Sequence, residues 1–257
     1  VPGSTDVRGL RRDATCLWKD CSMIWDLMLA PFADFGFMRR ALLGCIAVSV
    51  GATPVGVFLI LRHMSLTGDA MAHAILPGAA IGYLVSGLSL GAMTIGGLVA
   101  GMIVALASGF VARVTSRRED ASLAAFYLLS LALGVLIVST HGNNVDLMHV
   151  LFGTVLALDD TALILLCSFA SLSVLVLALL FRPLVLECAD PQFLRSVSKL
   201  SGVTHFTFLA LVVMNLVGGF HALGTLMAVG IMILPGAAAR FWAESIGGLI
   251  ATAALVA

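Results

Sequence analysis

Eight apolar runs leave this chain almost no choice of architecture. They are Ala41 to Leu61, Ala70 to Val85, Leu88 to Val111, Ala121 to Thr140, Thr161 to Phe181, His205 to Val217, Ala222 to Ala239 and Ile246 to Ala257. A helix needs about 20 apolar residues to cross the hydrocarbon core, and in lipid only helices and closed barrels satisfy every backbone N–H and C=O internally. The chain lacks the alternating strands of a membrane barrel and any short internal period that would mark a repeat array. The predicted fold is therefore all-α: a polytopic integral membrane protein of about eight transmembrane helices, with Met148 to Leu158 as a short re-entrant or interfacial helix.

Composition agrees. Only 11% of the 257 residues are charged, against about 25% in soluble domains. Net charge is zero, so nothing points to nucleic acid, while hydrophobic residues at 60% of the chain point to the lipid bilayer. Residues 1–40 read as an N-terminal polar tail and interfacial segment, without the order of a cleavable signal peptide. Residues 41–257 read as one transmembrane domain. The five cysteines are scattered, with no zinc-ribbon spacing, and read as neither disulfides nor ligands. Basic residues favour the cytoplasmic side, so Arg113, Arg117 and Arg118, and Arg182, Arg195 and Lys199, are placed inside. His141 to Asp146 is then outside and Arg62 inside. Arg39 and Arg40 conflict with this, since the first span would begin outside.

The most informative stretch is Arg62-His63-Met64-Ser65-Leu66-Thr67-Gly68-Asp69-Ala70-Met71-Ala72-His73. Asp69 and His73, at i and i+4, share one helical face. That face cannot look at lipid, where an ionised side chain costs roughly 2.5 to 3.5 kcal/mol even on insertion scales. A carboxylate and an imidazole together make part of a divalent metal site. The bland alternative is a hydrogen-bonded pair that braces the helix. His63 reads as a solvated interface residue and His205 as without a special role. Asp159-Asp160 and Glu119-Asp120 read as helix caps and first-turn acids.

These residues carry a resemblance. Arg62-His63-Met64-Ser65, Gly68-Asp69 and Ala72-His73-Ala74 resemble the hallmark of the permease subunit of zinc and manganese ABC importers, a metal family related to the vitamin B12 type. Glu119 to Leu123 with Ser130 to Val135, Val145 to Met148 with Leu151-Phe152-Gly153, and Leu223 to Met227 with Ile233 to Arg240 agree with it, in order. The resemblance implies a type II importer fold in the bacterial inner membrane and a pore made with a second copy of the chain. It also implies a cytoplasmic ABC ATPase dimer and an extracytoplasmic metal-binding protein as partners. Zinc is the cargo it puts first, with manganese or iron as alternatives. No cofactor is bound permanently. It further implies that Asp190, Pro191, Phe193 and Arg195 belong to the helix coupling the permease to its ATPase, although Leu194 and Ser198 depart from the family pattern. The chain is expected to lack the family's final helix.

Asp69 and His73 are the expected metal residues, with His149, His141, Asp146 and His221 as further candidates on the outer side. The chain has no phosphate-binding loop of its own, so energy must come from a partner, and the resemblance implies a transport subunit and not an enzyme. A secondary metal/proton antiporter is the rival reading, and the absence of any His-Glu-x-x-His argues against an intramembrane protease.

Overall fold

The computed structural model describes residues 35–87, 89–115, 119–141, 159–189 and 200–257. Among these there are helices and no strands: α1 Gly36–Leu61, α2 Ser65–Ser86, α3 Leu90–Thr115, α4 Glu119–His141, α5 Asp160–Ala189, α6 Leu200–Ala239 and α7 Ile246–Val256. Five segments are long and apolar enough to cross a membrane: Gly36–Leu61, Leu90–Val111, Asp160–Ala189, Ser201–Phe220 and Ala222–Ala239. The other three apolar runs are helical too, in α2, α4 and α7, but α2 is broken up by Gly68, Asp69 and His73, and the apolar parts of α4 and α7 are shorter. A count of eight crossings rests on those three also spanning.

The 40-residue α6 is two helices, not one. Gly224 has φ 79° and ψ 168°, a conformation open to glycine because it lacks a Cβ. The chain folds back there, for a methyl on Gly219 would lie 2.8 Å from the Cβ of Ala228. The second half then returns to pack its Met232 carbonyl on Gly56 and its Gly236 against Val57 and Ile60 of α1. This is the pair of spans expected from the runs ending at Val217 and resuming at Ala222.

Apolar collapse cannot hold helices together in lipid, so close backbone approach and polar contacts carry more of the packing. Any side chain at Gly78 or Gly96 would collide with the other's carbonyl, and Gly82 meets Ala92 in the same way. These contacts fix α2 on α3. Asn215 Nδ2 donates to Ser173 Oγ at 2.7 Å, and Ser173 Oγ donates to the Gly51 carbonyl at 3.2 Å, joining α6, α5 and α1 in the interior. The apolar core holds Phe58, Leu59, Phe208, Val212 and Val213, all almost fully buried.

The helix ends separate into two groups. Arg40 Nε lies 2.8 Å from Asp160 Oδ1, joining the starts of α1 and α5. At the opposite end Arg62 meets Glu187 near the end of α5 and His205 near the start of α6.

Candidate metal site

α1 and α2 are joined without slack. The N–H groups of Arg62, His63 and Met64 donate back to the carbonyls of Phe58, Ile60 and Leu59 at 3.0, 3.1 and 2.9 Å. The last two bonds form a Schellman motif, whose αL position is usually glycine. Here it is His63, at φ 56°, exposed as expected.

α2 then rises past Asp69 after one turn and His73 after two. His73 Nε2 lies 3.7 Å from Asp69 Oδ1, with side-chain exposures of 27% and 61%. At that separation the two are a loose i,i+4 pair facing the same space. The rest of α2 is walled in. Gly68 packs under Met232 and Ile233 of α6, Ile75 packs on Gly97 and Gly101 of α3, and Ser130 Oγ of α4 donates to the Ala74 carbonyl at 3.2 Å. Among the described residues α2 stays open along Leu66, Asp69, His73, Leu76, Ala80 and Leu84, spaced by three and four, and at Ile81 and Val85 near its end. The two polar side chains therefore sit on a face of α2 that the described residues leave uncovered.

Two local features shape the donor set. Pro77, four residues after His73, has no N–H to return to the His73 carbonyl, and its ring packs 3.4 Å from the Cβ position of Gly134. The His73 ring lies against that of Tyr127, while its Nδ1 is buried without a hydrogen-bond partner. Tyr127 had no signal in the sequence, because nothing in an apolar helix marks which residue faces a histidine on another. Among the described residues no three histidine, cysteine, aspartate or glutamate side chains converge on one point.

Of the other candidates, His149 and Asp146 lie outside the described residues, as do Asp190, Pro191, Phe193 and Arg195 of the expected coupling segment. His141 ends α4 and His221 lies just before the Gly224 bend, with side chains outside the description. Cys45, Cys167 and Cys188 are free thiols away from the pair.

A sequence profile described as the ABC 3 transport family matches residues 34–257. The chain belongs to that family. As an ABC 3 protein with several apolar helices it is a multi-pass membrane subunit of an ABC transporter, in which ATP hydrolysis falls to a separate subunit. Its relatives include ScaB, a manganese import system permease protein of Streptococcus parasanguinis, 32% identical over 227 residues, covering 87% of this chain and 80% of that one. YfeD of Yersinia pestis, a chelated iron transport system membrane protein, is 29% identical over 235 residues, 91% of this chain and 77% of its own length. A solved structure, PsaBC from Streptococcus pneumoniae in complex with Fab, superposes with a TM-score of 0.76 at 28% identity, covering 88% of this chain and 80% of that one.

Proposed function

We propose that the chain is the permease of an ATP-driven importer of divalent first-row metal, with manganese as its principal cargo. The observation that carries this is the exposure of Asp69 beside the half-buried His73 on one face of an otherwise apolar helix. A carboxylate at that depth needs a polar partner and not lipid, and a second copy of the chain, related by two-fold symmetry, would present an identical pair. Two carboxylates and two imidazoles would then line the pore. Such a set binds an ion in transit without caging it, as conduction requires.

Oxygen and nitrogen donors without a thiolate suit manganese and ferrous iron as well as zinc. Zinc, the cargo put first on sequence, has no support in the relatives named above, whose names give manganese and chelated iron. An extracytoplasmic metal-binding protein would deliver the ion, and an ABC ATPase docked on residues 190–199 would drive the change in access. Uptake of manganese into proteoliposomes holding permease and ATPase, with zinc and ferrous iron as competitors, tests the reading. Asp69→Asn and His73→Ala should each abolish uptake in a folded, inserted protein. Wild-type uptake by both variants would overturn the site, and zinc outcompeting manganese would overturn the cargo.

A further inference from the structure

At the end of the bundle opposite Arg40, three segments meet on one side chain. Arg62 Nη2 lies 2.5 Å from Glu187 Oε1, with both side chains 7% exposed, and 3.5 Å from Nδ1 of the buried His205. The guanidinium also sits 4.9 Å over the ring of Phe208. Arg62 opens the turn that begins α2. Glu187 lies three residues before Asp190, and His205 six after Lys199. One guanidinium thus joins the metal helix to both flanks of the 190–199 segment.

A buried ion pair is weak evidence of stability, because desolvation offsets the attraction, whereas losing one partner strands a charge. This pair is also half used. Glu187 Oε2 and Arg62 Nη1 are both buried without a hydrogen-bond partner, whereas a guanidinium and a carboxylate can engage by two parallel bonds. The two side chains thus have a second, bidentate pairing open to them, with both oxygens and both nitrogens engaged. Discrete alternatives of that kind are what switching interfaces are made of. The turn has little slack, since its N–H groups are tied back to α1 and the Met64 carbonyl accepts from Thr67 of α2. A shift of Arg62 therefore bears on the α1–α2 junction from which α2 starts.

We propose that Arg62, held by Glu187 and His205, is a positioning residue for transport: the joint through which α2, with Asp69 and His73, follows the 190–199 segment. This rests on the reading that 190–199 docks on the ATPase.

The test is uptake of manganese per ATP hydrolysed by the assembled transporter. Glu187→Gln should lower that ratio by about tenfold or more, within the range of coupling between sites, with basal ATPase activity within about twofold. The reversed pair Arg62→Glu with Glu187→Arg should recover much of it. An unchanged ratio in Glu187→Gln overturns the joint. If that variant fails to assemble, Arg62→Cys with Glu187→Cys, in a chain whose other cysteines are alanine, decides. Bridging the two thiols with a short bifunctional maleimide should restore the ratio lost by the unbridged protein, and bridging without recovery overturns the proposal. The docking reading is checked separately by crosslinking Phe193→Cys to the ATPase. No crosslink overturns that reading and the joint with it; a crosslink beside an unchanged ratio overturns the joint alone.

Discussion

The imidazole of His73 lies against the ring of Tyr127, with centroids 5.4 Å apart and planes tilted by 42°. If His73 is a ligand, as proposed above, its ring on an open helix face needs something to fix it, and here the neighbour comes from α4. Partners that orient a ligand are commonly worth about 10 to 100-fold in metal affinity. Tyr127→Ala should therefore raise the manganese concentration for half-maximal uptake by about tenfold, while Tyr127→Phe keeps the ring and most of the affinity. Equal values for both variants would assign the effect to the hydroxyl.

Gly56 touches the Met232 carbonyl backbone to backbone, whereas Gly36 has nothing within 4 Å of its Cβ position. Overpacking typically costs about 1 to 3 kcal/mol. Gly56→Ala should lower the thermal unfolding midpoint in detergent, and Gly36→Ala should leave it in place. The comparison separates a packing requirement from the general helix preference for alanine.

His63 occupies the αL position of the α1 Schellman motif, where a Cβ costs roughly 1 to 2 kcal/mol. His63→Gly should stabilise the folded protein by about 1 kcal/mol, read as a higher midpoint in the same unfolding experiment. A lower midpoint would mean that the imidazole makes contacts worth more than the strain.

Asp159 caps α5. The Thr161 hydroxyl donates to it at 2.9 Å and the Asp160 N–H at 2.8 Å, and these bonds, followed by the nearby Arg40, hold its carboxyl below the ordinary range. A depressed folded-state value means stability that is present above the unfolded pKa, about 4, and lost as pH falls through the folded one. Amide exchange at the start of α5 should therefore quicken only in acid below about pH 4. Asp159→Asn, a comparable neutral cap, should flatten that dependence.

Much of this was legible because lipid is a demanding solvent. Long apolar runs specify helices with little ambiguity, and an aspartate and a histidine four residues apart stand out against them. The break between Val217 and Ala222 was visible as a glycine pair, although the residue that turns the chain is Gly224, a few positions on. Glu187 was not legible. In the sequence it is one acid near the end of an apolar run, and only the fold brings Arg62 and His205 to it. His205, which reads as unremarkable from its place beside a loop, is buried against that arginine. Periodicity reports which face a residue occupies on its own helix and says nothing about which helix comes to meet it.

The open stripe on α2 also has a genetic meaning. If each chain brings half of the ion's ligands, an inactive copy spoils the working copy it joins. With an Asp69→Asn chain expressed equally beside the wild type and random two-fold pairing, about a quarter of the dimers would keep a complete set. The allele would then behave as dominant, whereas a variant that never inserts would leave its partner's uptake intact and behave as recessive.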